Sequence, residues 1–211
     1  MLESFSKAPV SQDVLRLTNL DYVAVLGFKK GLTIDELTDV IAFDHRDAVT
    51  KDLMEGAFQR KAALSNKFGR LSRFSDGDWP FFYAAFDRET AEKECSHHYG
   101  RKAAGNLLAR RPVYYSVVRC TFKGDVIDLR PELDRWPQLL SDDYQFCNEL
   151  GKEAHDMGCG GFFAPSARHS GGTTVPVFVA STLSNPAVVS TVRLSYNAHG
   201  TTVDAKDLPS V

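Results

Sequence analysis

The run VYYSVVRCTF, residues 113 to 122, constrains the fold more than any other stretch. β-Branched and aromatic side chains fit a pleated, half-buried surface better than they fit a helix. The segments FFYAAF (81–86), GGFFAPS (160–166), VPVFVAS (175–181) and VVSTVRLSYN (188–197) have the same character, and Gly, Pro and Asn punctuate them. A chain with so many such runs builds its core around a sheet. LSRF (71–74) reads as a further short strand, set off from FFYAAF by the turn residues of SDGDWP, and Lys123-Gly124 predicts a turn between VYYSVVRCTF and GDVIDL.

Helical signals lie between and before these runs. GLTIDELTDVIAF carries Thr33 and Glu36 at capping-box spacing, and Val49, Leu53, Ala57 and Leu64 follow near helical period, so residues 1–65 read as a mainly helical N-terminal extension. ETAEKECSHHYGRKA, from Glu89, has acids early and bases late, as a helix dipole favours. SDDYQFCNELGKEAHDMG predicts a helix capped by Ser141 and stopped at Gly158. The order gives one α+β domain: the extension over 1–65, a mixed β core with helices over 66–197, and a polar tail over 198–211 that frays.

Composition narrows the function classes. The chain has 211 residues, 43% of them hydrophobic, a formal net charge of -2 and a pI near 6.3. That balance offers no general attraction to nucleic acid, so no direct nucleic-acid binding is expected. No membrane contact is expected either, since no run approaches the ~20 apolar residues of a spanning helix. The four cysteines lack the spacing of a disulfide scaffold or zinc site, and with no signal-peptide pattern at the start a cytoplasmic location is the default.

Polar residues stand out around the β segments: Arg73, Tyr83 and Glu94, and the loop APSARHSGG (164–172) with Ser166, Arg168, Ser170 and two glycines. Such a loop lets backbone and guanidinium donors approach a phosphate, although a plain surface turn has the same composition. Arg70 competes with Arg73, because residues three apart on a strand face opposite sides. Glu92 competes with Glu94, about 200 degrees apart around a helix. Arg73 also suits a surface ion pair, and Tyr83 suits a core. His97 and His98 diverge by about 100 degrees and have no partner at i, i+4, so no metal is expected. Cys95 with a histidine is read as structural.

These motifs, RFS (73–75), YAA (83–85), TAEKE (90–94) and PSAR (165–168), taken in order, resemble the RES domain family, whose members are toxins of bacterial toxin-antitoxin modules. The likeness runs from about Gly69 to Ser181, with Ser75 standing where the family often has Asn. The resemblance implies an ADP-ribosyltransferase-like fold and an enzyme that destroys NAD by hydrolysis or phosphorolysis of its nicotinamide-ribose bond. It implies NAD as substrate rather than cofactor, phosphate as a candidate co-substrate, and a cognate Xre-type antitoxin or immunity protein. On that basis Glu94 stabilises the developing oxocarbenium charge, Arg73 holds the pyrophosphate or a ribose edge, Tyr83 offers a flat ring, and Ser166 and Arg168 bind phosphate or ribose oxygens. Two alternatives stay open: transfer of ADP-ribose to a protein, and a non-catalytic binding module of the same shape. Monomer and homodimer also both stay open.

Overall fold

The computed structural model describes residues 1–19, 72–79, 81–105 and 112–207. In chain order these form β1 (Ala8–Asn19), β2 (Phe82–Ala85), α1 (Arg88–Gly105), β3 (Val113–Asp128), α2 (Gln145–Asp156), β4 (Gly161–Pro165), β5 (Thr173–Val177), β6 (Leu183–Asn197) and β7 (Gly200–Asp207). The strand order is β1-β2-β5-β4-β3-β6-β7, and β1 pairs also with β3. Strands β1, β2, β5, β4 and β3 therefore close into a ring, from which β6 and β7 extend. Only the β3–β4 pairing is parallel among those described. The α+β expectation holds.

Several local expectations change. The helical extension over 1–65 is corrected at its start, because residues 8–19 are a strand that pairs with β3 from Ala8↔Val126 to Asn19↔Tyr115. Pairing with β3 gives APVSQDVLRLTN two faces: Val10 and Val14 pack into one core, and Leu15 and Leu17 into another. That same ladder removes the turn predicted at Lys123-Gly124. Both residues lie inside β3, opposite Ser11 and Val10, where β1 satisfies the backbone groups that a turn would have freed. Gly124 instead permits a close approach, since a Cβ there would stand 2.8 Å from Thr182 Cγ2. Residues 200–207 of the tail expected to fray form β7 against β6. LSRF reduces to an isolated Ser72–Ser75 bridge with Arg73 and Phe74 at its bend. The helices expected within 31–64, and Arg70, lie outside the described residues.

Helix α2 starts at Gln145 rather than at a Ser141 cap. Asp143 Oδ1 accepts the Gln145 amide at 3.1 Å, while Ser141 Oγ accepts the Asp143 amide at 3.0 Å. It stops as expected at Gly158, whose φ of 62° suits glycine. Among the described residues no helix is long and apolar enough to cross a membrane.

Alternation along β3 and β4 sorts the core. Val118, Cys120 and Phe122 join Phe82, Phe163 and Val175 in one cluster, while Val117 packs beneath Tyr99 and Ala103 of α1. A third cluster, with Phe74, Ile127, Leu150 and Phe162, lies under α2. Phe74, Phe82, Phe122 and Phe162 are all fully buried, each contributing roughly 2–3 kcal/mol by area. Helix α1 thus rests on β1, β2 and β7, and α2 is pressed onto the Arg73-Phe74 bend. The second contact has no spare room: a Cβ on Gly151 would stand 2.1 Å from the Phe74 carbonyl oxygen. Replacing a mid-helix glycine with alanine ordinarily stabilises by about 1 kcal/mol. Gly151→Ala is expected to do the reverse, destabilising by about 1–3 kcal/mol as α2 is pushed off the bend. Urea unfolding of the two proteins measures the sign.

Candidate functional site

Strand β2 runs into α1 across Phe86 and Asp87, and Asp87 starts the helix. Its Oδ1 accepts the Thr90 amide at 2.8 Å and its Oδ2 accepts the Thr90 hydroxyl at 2.7 Å. Burial pushes the Asp87 carboxyl up, but these hydrogen bonds outweigh it and hold the group below the usual carboxylate range. With the helix phase fixed at this cap, Ala91, Glu94, Cys95 and His98 fall on one face and line a cavity of about 150 Å³. Leu15, Arg16 and Leu17 of β1 and Tyr83, Ala84 and Ala85 of β2 complete its walls. Glu92 points elsewhere and pairs with Arg88 at 2.6 Å. Of the two competing acids, Glu94 is the one in the cavity wall.

Glu94 is 6% exposed. Its Oε1 accepts the Ser166 hydroxyl at 2.6 Å. Ser166 Oγ in turn accepts the amides of Arg168 at 3.1 Å and His169 at 3.0 Å. Two donors on its lone pairs leave the serine one proton, and that proton points at the carboxylate. The 166–172 turn is therefore an arrangement for aiming Ser166 at Glu94.

Tyr83 and Arg73 come together beside this pair. Burial first, then the nearby Glu94 charge, pushes the Tyr83 phenol well above its ordinary value, while a hydrogen bond with Thr174 and the Arg73 charge pull the other way. Arg73 is 3% exposed, so it is not a surface ion pair. Its Nη1 donates to the carbonyls of Leu139 at 3.1 Å and Ser141 at 2.5 Å, and its guanidinium lies 4.9 Å from the centre of the Tyr144 ring. Its Nη2 has no hydrogen-bond partner among the described residues. Ser75, the position where the resemblance led to Asn, is fully buried and closes the bend, donating to the Trp79 carbonyl and accepting the Gly77 amide.

Arg168 pairs with Asp142. Between the two arginines, residues 139–144 are held from both sides. That segment borders a second, larger cavity of about 760 Å³, lined by His98, Arg101, Asp142, Tyr144, Asn148 and Lys152 among others. His98 belongs to both cavities, and burial holds it below its ordinary histidine value. Of these lining residues the sequence singled out only His98, and that as a candidate metal ligand rather than a cavity wall. Arg101 was within reach, since it stands seven positions after Glu94 on the same helix face. Tyr144 and Asn148 were not, because only the folded chain brings α2 beside α1.

A model of the RES domain matches residues 43–197. The chain belongs to the RES domain family. The family match begins well before the core boundary expected at residue 66. Strands β1 and β7 lie outside it, yet both are built into the RES domain's sheet. No curated protein matches. Among solved structures, a chain in the crystal structure of the M. tuberculosis MbcT-MbcA toxin-antitoxin complex is similar, with 17% identity, a TM-score of 0.53, and coverage of 90% of this chain and 87% of that one. At this identity the likeness establishes the shared fold.

The cysteines around the RES site are quiet. Burial pushes the thiols of Cys95 and Cys120 up to about 12 and that of Cys147 up to about 11, and raises Cys159 as well. A thiol in this state is a poor nucleophile. The folded protein is expected to leave Ellman's reagent unreacted at pH 8 and to titrate all four thiols once unfolded. Rapid labelling of Cys95 in the native state would restore a thiol-based reading of the site.

Proposed function

We propose that this RES domain cleaves the nicotinamide-ribose bond of NAD and acts as a growth-arresting bacterial toxin. The observation that carries the reading is a buried carboxylate, Glu94, aimed by Ser166 and set in the wall of a small cavity that opens beside a large charged one. About 150 Å³ is enough for a six-membered aromatic ring. A volume of 760 Å³ lies within the ~300–1,000 Å³ of small-molecule sites. A ring on one side and a nucleotide on the other is the layout of a dinucleotide, with Arg101 offering positive charge to its phosphates in a lining that also carries Asp76, Asp142, Asp143 and Glu149.

Nicotinamide leaves as a neutral base from a cationic ring, so the leaving group needs no acid. The cost lies in positive charge at the ribose carbon, which a fixed carboxylate stabilises. Glu94 takes that role, and Tyr83 stands across the cavity as a neutral ring against the base. Ser166 orients Glu94. Arg73 holds the Leu139 and Ser141 carbonyls, so its contribution is to the wall on which Tyr144 sits. Arg168 pairs with Asp142 of the large cavity's lining, where substrate phosphate competes for it. Water or phosphate completes the reaction at the ribose carbon, giving ADP-ribose or its 1-phosphate. We further propose that an Xre-type antitoxin occludes the cavities; the relative of similar fold comes from a toxin-antitoxin complex.

Purified protein incubated with NAD, with and without phosphate, is expected to release nicotinamide, and the identity of the second product separates hydrolysis from phosphorolysis. Glu94→Gln keeps shape and hydrogen bonding but loses the charge. It is expected to lower kcat by on the order of 100-fold or more with the urea midpoint little changed. No nicotinamide release by the unaltered protein under either condition would overturn the reading.

A further inference from the structure

We propose that Asp87, Thr90 and His169 form a clamp that positions the Glu94–Ser166 pair, with His169 held as the Nδ1–H tautomer. The role rests on the NAD-cleaving reading of the site, whereas the tautomer rests on geometry alone.

Thr90 and Glu94 stand four residues apart on α1 and therefore share a face. Ser166 and His169 stand three apart on one turn. Two contacts join these elements: Glu94 with Ser166 at 2.6 Å, and Thr90 Oγ1 with His169 Nδ1 at 2.8 Å. The turn is closed on itself by the Ser166 amide donating to the Gly172 carbonyl and the Gly172 amide to the His169 carbonyl, both at 2.9 Å. It is also pressed onto Thr90, since a Cβ on Gly172 would stand 2.5 Å from Thr90 Oγ1. Because the His169 amide also donates to Ser166 Oγ at 3.0 Å, any displacement of His169 reaches the serine directly.

The protons follow from the partners. Asp87 Oδ2 lies 2.7 Å from Thr90 Oγ1, and a carboxylate only accepts, so the threonine proton is committed to it. Thr90 then faces His169 with a lone pair, and Nδ1 must carry a hydrogen. His169 Nε2 stands 3.6 Å from Glu89, which is already engaged by Lys93 at 2.7 Å. Neither Thr90 nor His169 lines either cavity. They are positioning residues, acting through Ser166.

Two measurements test the clamp. In ¹⁵N-labelled protein at roughly pH 9, above the ordinary histidine range of about 6.5, long-range imidazole correlations should show His169 protonated at Nδ1. A neutral ring protonated at Nε2 would overturn the proposal, whether or not the protein turns out to cleave NAD. In the kinetic arm, His169→Asn, which restores an N–H near the Nδ1 position, should keep kcat within a few-fold. His169→Gln, which places its N–H near Nε2, should lower kcat on the order of 100-fold with KM little changed. Thr90→Ser should be tolerated where Thr90→Val is not. Equal losses in each pair, or losses confined to KM, would overturn the positioning role. Absence of nicotinamide release in the unaltered protein would overturn the functional reading and the catalytic half of this proposal with it, and leave the tautomer measurement to decide the clamp.

Discussion

A carboxylate that is 6% exposed cannot be left without partners, and at Glu94 this requirement reaches far into the chain. The hydrogen bond that meets it comes from Ser166, 72 residues away. Ser166 donates in one direction because two backbone amides occupy its acceptor positions. Those amides converge only in a tight turn, which needs Gly171 at a φ of 78° and Gly172 where no side chain would clear Thr90. The turn in turn is carried between β4 and β5, two short strands buried along nearly all their length. One charge in the second turn of a helix is thus tied to the conformation of a loop 72 residues away.

The part of this arrangement that was legible in the sequence is the part set by local period. The strand character of FFYAAF, GGFFAPS and VPVFVAS, the helix after Glu89, and the divergence of Glu94 from Glu92 all follow from spacings of two or 3.6 residues, while the choice between the two acids came from the family resemblance. Pairing was not legible. Strand β1 was hidden because APVSQDVLRLTN, taken alone, is a mixed polar stretch whose alternation acquires meaning only against β3. The same blindness produced the turn at Lys123-Gly124, where glycine marks a close approach to Thr182 rather than a reversal. The roles of side chains divided in the same way. Glu94, Tyr83 and Ser166 are brought together as the order of motifs suggested. Arg73 is brought to the same region but turned toward backbone carbonyls, a destination that no spacing could reveal.

That destination changes what an arginine at this position means. A guanidinium that grips two carbonyls and lies against Tyr144 is first a builder of the 139–144 segment, and a lysine could supply its charge but not its planar fork. The segment is also tied by Arg168 through Asp142, yet the two ties differ in kind. The Arg73 contacts are buried and short-ranged, whereas Asp142 is exposed, so its pairing with Arg168 is screened by water and salt and contributes little to stability. The 139–144 segment therefore has a buried tie at Arg73 and a solvent-exposed tie at Arg168. Under the proposed function, a substrate anion that reaches Arg168 meets an arginine already partnered by a carboxylate, and it gains only the difference between its own hydrogen bonds and those of Asp142. On the same reading a phosphate, with more charge and more acceptor oxygens than a lone carboxylate, is the anion suited to that exchange, and the Asp142 contact keeps Arg168 in place when none is bound.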